Sequence, residues 1–334
     1  MATDQSLERN LALELVRVTE AAALHAARWM GRGDKEAADQ AAVDAMRRAL
    51  RFVDMDGVVI IGEGEKDEAP MLYIGERVGT GRSPKVDVAV DPIDGTNLTA
   101  KGLPNAITVV ALAERGSMYY DPDIMYMQKI AVGRQAKGAI DINASVRDNL
   151  LRIARFMDRN VEDVTVVVLD RPRHDELIAE IRDSGARIKL ITDGDVAGAV
   201  MAAMPGDTDV DVLMGIGGTP EAVLAACALK CLDGDMQCKL WPRSDEERER
   251  TLAKGNDLDR IITLNDLASS DDVFFAASGI TNGEFLGGVR YRGGSADTHS
   301  IMMRSVSGTL RRISTTHNIA LKKNLAAGAA YVPD

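Results

Sequence analysis

Cysteine and histidine are scarce in this chain. Three cysteines (Cys227, Cys231 and Cys238) in 334 residues make no disulfide framework. Cys227 and Cys231 stand one helical turn apart and read as buried small hydrophobes. The four histidines, His25, His174, His299 and His317, show no H-x₃-H spacing, so a zinc site is not indicated. Long apolar runs are absent as well. The segment from Leu7 to Met30 is broken by Glu8, Arg9, Glu14, Arg17 and Glu20. It reads as neither a signal peptide nor a membrane span, and a cytoplasmic location is the default expectation. Basic residues are outnumbered, 40 Lys and Arg against 51 Asp and Glu, for a net charge of −11. That balance argues against nucleic acid or an anionic membrane as the main partner. An anionic ligand would need local cations, either metal or arginine. No internal repeat or low-complexity linker is present.

What is there suffices for a large buried core. Hydrophobic residues make up 46% of a length that fits one large or two ordinary domains. Leu7, Leu11, Leu15 and Val18 recur at helical spacing, with Ser6 as N-cap. A second helix is expected after Gly33, capped by Asp34, with Ala38, Ala41, Ala42, Ala45, Met46 and Ala49 on one face. Asp39 falls near its start, where the helix dipole favours a carboxylate. Strands are expected at 58–61, 86–90 and 106–113. With strands near Ile130 and Ile140 they would make a largely antiparallel sheet. Beyond residue 150 the pattern changes. Strands at 164–169, 188–191 and 210–214 are each followed by a helical segment, near 174–183, 195–204 and 219–231. Such alternation implies parallel strands. The expected fold class is α/β, with the domain boundary placed near residue 150.

The densest chemistry lies in Asp91-Pro92-Ile93-Asp94-Gly95-Thr96. It follows Val86-Asp87-Val88-Ala89-Val90, which reads as a strand with a well-buried face, and Pro92 should end that strand. Two carboxylates then stand beside a glycine turn and a hydroxyl. Hard carboxylate oxygens suit Mg²⁺ or Mn²⁺, and free N–H groups at a glycine turn suit phosphate. A turn with solvated aspartates is the plain alternative. Asp39, Glu63 and Glu221 extend the acidic set. Five converging carboxylates would repel one another without metal and form a site for two or more ions with it. Glu221 also fits a simple first-turn helix acid.

Three loops follow the later strands: Asp170-Arg171-Pro172-Arg173-His174, Asp193-Gly194-Asp195 and Gly215-Ile216-Gly217-Gly218-Thr219-Pro220-Glu221. Ligands bind at the carboxyl ends of such strands. Arg171, Arg173 and His174 form a cationic set, with the two arginines flanking Pro172 as a fork for phosphate. A solvated arginine loop is the alternative. Asp193-Gly194-Asp195-Val196 has a second reading, as the D-x-D motif of a haloacid-dehalogenase-type phosphatase with Asp193 as nucleophile. Val196 comes one place early for that motif, and Asp271-Asp272 is the only downstream candidate for its metal-binding acidic pair.

Asp91 to Thr96 resembles the D-P-[IL]-D-G-[ST] motif of the lithium-sensitive, metal-dependent phosphatases, the superfamily of inositol monophosphatases. Several runs in order narrow the resemblance. They are Gly31 to Lys35, Gly62 to Leu72, Lys85 to Thr96, Met125 to Met127, Arg171 to His174, Asp193 to Asp195 and Gly215 to Glu221. Together they resemble a class II fructose-1,6-bisphosphatase from about residue 7 to 317. The resemblance implies a layered α/β/α/β/α sandwich. Residues 1–150 would bind metal and the scissile phosphate, and 151–334 the sugar phosphate. It implies two or more Mn²⁺ or Mg²⁺ ions on Asp39, Glu63, Asp91, Asp94 and Glu221. Glutamate is common in the family at the position of Asp94. Thr96 would position or deprotonate the attacking water, with Lys35, Glu63 and Asp67 supporting the chemistry. Asp94, Gly95, Thr96, Tyr126, Arg171, Pro172, Arg173, Asp193, Gly194, Asp195 and Gly218 would hold the sugar bisphosphate. The implied activity is hydrolysis of the 1-phosphate of fructose 1,6-bisphosphate, in gluconeogenesis or the reductive pentose phosphate cycle, and possible action on sedoheptulose 1,7-bisphosphate. A homo-oligomer, dimer or tetramer, is expected. A non-catalytic sugar-phosphate sensor is the non-enzyme alternative.

Overall fold

The computed structural model describes residues 5–63, 72–121, 124–204, 208–319 and 321, with side chains from residue 11 onward. Ser6, Leu7 and Asp67 therefore lie outside what is described of side chains, as does most of the tail after Ile319. The fold is mixed α/β, with two sheets and nine α-helices among the described residues.

The chain opens with α1 (Gln5–Ala26) and α2 (Lys35–Leu50). Asp34 caps α2 by accepting the Ala37 N–H at 3.0 Å. Ala38, Ala42, Ala45, Met46 and Ala49 are buried along one α2 stripe, as the spacing predicts, and Ala41 is half-buried. Then come β1 (Asp56–Ile61), β2 (Arg77–Val78), β3 (Lys85–Asp94), α3 (Thr96–Lys101) and β4 (Ile107–Glu114). A middle section follows: β5 (Tyr126–Val132), α4 (Val146–Phe156), β6 (Thr165–Leu169), α5 (Asp175–Asp183), β7 (Arg187–Ile191), α6 (Asp195–Ala202), β8 (Val212–Gly218), α7 (Thr219–Cys231), β9 (Asp235–Leu240), α8 (Asp245–Ala253), β10 (Ile262–Thr263) and α9 (Leu264–Leu267). The chain ends with β11 (Phe274–Gly279), β12 (Arg290–Arg292), β13 (Ser295–Arg304) and β14 (Thr309–Asn318).

Two compact units result, Met1–Ser117 with Ser270–Asp334, and Met118–Ser269. The single division expected near residue 150 differs from this, since residue 150 lies inside α4. The first unit is built from both ends of the chain, a partition that local sequence pattern does not mark.

In the first unit the strand order is β12-β13-β11-β4-β3-β1-β2, with β14 on β13. All pairs are antiparallel except β1 with β3. The strand expected near Ile130 is β5, which belongs to the other sheet, and no strand forms at Ile140. The strands that complete the first sheet come from the C-terminal quarter instead. α1 lies on this sheet, where Thr19 and Ser278 hydrogen-bond at 2.7 Å within the core.

Pro92 does not end β3. The register with β4 shifts between Asp91 and Asp94, and Pro92 and Ile93 lie in that irregularity. The β1 pairing reaches only to Ala89, so the missing N–H of Pro92 breaks no ladder bond on that side.

In the second unit the order is β10-β9-β5-β8-β6-β7. β6 runs parallel to β7 and β8, as the strand–helix alternation predicts. β5 and β9 are antiparallel additions. Ile130 and Val132 face a core made with α4 and α5. Lys129 and Ala131, on the alternate face, are buried on the side of α6 and α7. The loop after β6 leads to α5 and the loop after β8 leads to α7, on the other face. Adjacent strands that diverge in this way form a crevice at their carboxyl ends.

Candidate active site

In the first unit, the turn of the D-P-x-D-G-T motif is held by its own residues. Asp91 Oδ1 accepts the Ile93 N–H at 3.0 Å, which closes the bend around Pro92. Gly95 sits at φ +100°, a left-handed conformation that disfavours any side chain. Asp94 is buried at 3% exposure, and Asp91 is half-buried. Thr96 starts α3, and its hydroxyl donates to Asp39 Oδ1 on α2 at 3.1 Å. One bond thus joins two residues 57 positions apart in sequence. Lys35 is exposed at the first turn of α2. Glu63 follows β1 and is bridged to Leu72 through the Glu63 N–H, at 3.0 Å from the Leu72 carbonyl. Its side chain reaches solvent, yet the packed protein beside it desolvates the carboxyl and pushes it above the usual carboxylate range. Among the described residues, no three His, Cys, Asp or Glu side chains already form a metal-holding group.

In the second unit the three loops meet around the β6–β8 crevice. The two arginines do not form a common fork. Arg171 turns toward β7, with Nη1 on the Asp170 carbonyl at 3.0 Å and Nη2 at 3.8 Å from Asp193. Arg173 turns toward β8, where Nε and Nη2 both donate to the Ile216 carbonyl, at 3.2 and 2.8 Å. Its guanidinium also lies 5.3 Å from the centre of the Tyr126 ring.

His174 is not part of the cationic set. It is buried, its Nδ1 lies 2.7 Å from the Leu169 carbonyl, and Nε2 accepts the Ile216 N–H at 2.7 Å. That pattern requires the neutral ring with the proton on Nδ1. Burial lowers its pKa, and the neighbouring Arg173 and Arg171 add to the effect, against the bond to Leu169. Its work is to tie the end of β6 to β8.

Lys129 was not singled out by the sequence reading. It points from β5 to Asp195, with Nζ 2.7 Å from Oδ2 and side chains only 2% and 8% exposed. Burial alone would lower its pKa, but the Asp195 and Glu221 carboxylates hold it above the ordinary lysine value. A lysine within the apolar Met127–Val132 stretch was the available signal. Gly217 and Gly218 make room for this group. A Cβ on Gly217 would fall 1.9 Å from Asp195 Oδ2, and one on Gly218 1.8 Å from Glu221 Oε2. Glu221 lies in the first turn of α7, folded back against the strand end that precedes it. Gly194, at φ +81°, turns the chain from Asp193 into α6. Of the two acids that a haloacid-dehalogenase reading would take downstream, Asp272 is already held by Arg304, at 2.8 and 2.6 Å.

Carboxylates, glycine turns and arginines at strand ends of a mixed α/β fold define a class, the enzymes that handle phosphorylated small molecules. Residues 9–317 match the family described as "Bacterial fructose-1,6-bisphosphatase, glpX-encoded". The chain is 47% identical over 329 residues to fructose-1,6-bisphosphatase 1 class 2 of Escherichia coli strain K12, covering 95% of this chain and 97% of that protein. It has the same identity and coverage with fructose-1,6-bisphosphatase class 2 of Shigella flexneri. This chain belongs to the class II fructose-1,6-bisphosphatase family.

Proposed function

We propose that the protein hydrolyses the 1-phosphate of fructose 1,6-bisphosphate to fructose 6-phosphate and phosphate. The observation that carries this reading is the Thr96–Asp39 hydrogen bond, in a chain whose family match runs from 9 to 317. A hydroxyl fixed by the Asp39 carboxylate and the Ile93 carbonyl, at 3.1 and 3.3 Å, is suited to orienting an attacking water.

The proposed metal ligands are Asp39, Glu63, Asp91, Asp94 and Glu221. Their chemistry fits a hard divalent cation such as Mn²⁺ or Mg²⁺, because every donor is a carboxylate oxygen. The raised Glu63 carboxyl fits too, since a cation would offset its desolvation. When bound, two or more such ions supply an acidified water and neutralise charge on the phosphate. The chain's own residues do the rest. Gly95 and Thr96 offer N–H groups to the scissile phosphate. Asp193 and Asp195 accept from sugar hydroxyls, and Lys129 holds Asp195 in place. Tyr126, Arg171, Pro172, Arg173, Gly194 and Gly218 line the sugar-phosphate side. Asp67 and Lys35 support the first unit's site, with Asp67 outside the described residues.

The same reading takes the fold as a layered α/β/α/β/α sandwich of the inositol monophosphatase-like superfamily. It takes the protein as a homo-oligomer and as cytoplasmic, the compartment that three buried cysteines in no disulfide suit. No helix among the described residues is long and apolar enough to cross a membrane.

The test is phosphate release from fructose 1,6-bisphosphate with Mn²⁺ or Mg²⁺, with and without chelator. Sedoheptulose 1,7-bisphosphate and inositol 1-phosphate run alongside. Metal-dependent release from the bisphosphates is expected, and Asp91→Asn should lower it by at least about 10²-fold, the scale of losing one preorganised electrostatic group. Release from inositol 1-phosphate alone, or near-normal turnover by Asp91→Asn, would refute the assignment.

A further inference from the structure

Two arginines converge on the Tyr126 ring, and only one of them was foreseen. Arg173 Cζ lies 5.3 Å from the ring centre and Arg243 Cζ lies 5.7 Å from it. Each follows a proline just past a strand end: Pro172-Arg173 after β6, and Pro242-Arg243 after β9. The ring itself is fixed. Trp241 packs edge-on against it, with centroids 6.3 Å apart and planes at 79°, and the Trp241 backbone N–H donates to the Tyr126 backbone carbonyl at 3.0 Å.

Neither guanidinium is saturated by protein. Arg173 commits Nε and Nη2 to the Ile216 carbonyl, leaving Nη1. Arg243 commits Nε to Glu247 Oε2 at 3.2 Å, with no protein bond to Nη1 or Nη2 among the described residues. Its side chain is 51% exposed. Glu247 also takes the Arg243 backbone N–H at 2.7 Å, so the base of the arginine is anchored while its tip stays available. On the Arg173 side, Arg173, Gln128 and Ile216 border a cavity of about 240 Å³, whose wall also carries Glu176 and Glu180. Gln128 is exposed although β5 is an interior strand, so this part of the sheet face is open.

We propose that Arg243 is a substrate-binding residue, completing with Arg173 and Tyr126 a two-arginine subsite for the phosphate that is not cleaved. The subsite takes a phosphate monoester dianion, the group that planar guanidinium donors match best. This rests on the bisphosphate reading above. It adds that the second phosphate is held by arginines from two different strand ends. Because that phosphate does not react, the contact acts equally on ground and transition states and shows in KM.

The experiment uses the full chain with Mn²⁺ and compares wild type, Arg243→Gln, Arg243→Lys and Arg250→Ala, which alters another exposed arginine of the same region. Arg243→Gln keeps a donor near Glu247 and removes the charge. KM for fructose 1,6-bisphosphate should rise about 10–100-fold in Arg243→Gln, with kcat within about 3-fold of wild type, as loss of a charged hydrogen-bond partner predicts. Inhibition by inorganic phosphate should weaken in parallel, Arg243→Lys should recover part of the loss, and Arg250→Ala should match wild type. An unchanged KM in Arg243→Gln, with wild type active, overturns this proposal alone. So does an equal fall in kcat accompanied by a lowered Tm, which marks a structural role. A wild type that releases no phosphate overturns the activity reading and this subsite with it.

Discussion

Removing the Lys129 ammonium tests the buried polar centre of the second unit. In Lys129→Met the chain length and most of the volume are kept, but Asp195 loses a cation 2.7 Å away, in a place where both side chains are nearly inaccessible. Breaking one side of a buried pair costs roughly 3–5 kcal/mol, because the remaining charge is left uncompensated. At about 2–4 °C per kcal/mol for a unit of this size, the melting temperature should fall by roughly 6–20 °C. Lys129→Met with Asp195→Asn should be less destabilised than the sum of the singles, with a coupling of at least ~1 kcal/mol by urea unfolding. The pH dependence follows from the raised lysine. Its folded pKa lies above the unfolded value, so its contribution is complete below about pH 10.4 and is lost as pH climbs through the folded value. The difference between wild type and Lys129→Met should therefore be flat from neutral pH to about 10 and narrow above it. A cost under ~1 kcal/mol, or strictly additive single and double variants, would refute the reasoning.

Two further outcomes are expected. Gly218→Ala places a Cβ 1.8 Å from Glu221 Oε2 at an ordinary φ of −62°, so the flexible glutamate must move while the backbone need not. Turnover should fall by about 10²-fold, the scale of an ångström-level misplacement, with little change in melting temperature; a normal rate would place Glu221 outside the chemistry. His174 is held neutral, with its pKa lowered chiefly by burial, so it stabilises the fold above its unfolded value near 6.5 and that stability is lost as pH falls through the folded value. Urea unfolding between about pH 5 and 7 should slope downward toward acid, and less steeply in His174→Gln; His25, half-buried and lowered likewise by desolvation, leaves part of the slope in place.

What was legible in the sequence had a local cause. The α2 cap at Asp34, its alanine stripe, and the strands and helices from 165 to 231 all follow from periodicity and turn chemistry over about ten residues. The misplaced features depend on distant partners. β5 reads as a strand in any context, and only its pairing with β8 and β9 assigns it to the second sheet. Pro92 reads as a terminator because nothing nearby says that β1 stops pairing at Ala89. His174 looks cationic beside two arginines until the Leu169 carbonyl and the Ile216 N–H take its ring nitrogens. Lys129 and Arg243 went unmarked because each gains its meaning from a residue dozens of positions away: Asp195 for one, Tyr126 for the other. The D-P-I-D-G-T run was the opposite case, since its bend is closed by Asp91 and Gly95 from within.

The split first unit also sets a schedule for synthesis. β4 ends at Glu114, and its neighbour β11 begins only at Phe274. At about 5–20 residues per second on the ribosome, roughly 8–30 s separate the two strands. Throughout that interval the apolar edge of β4 has no native partner, while the whole of Met118–Ser269 emerges and can collapse on its own core. The nascent chain should therefore acquire its second unit first and spend its most aggregation-prone moments with an open β4 edge. Chaperone demand should peak in that window, and a pause in translation after residue 117 should lengthen it.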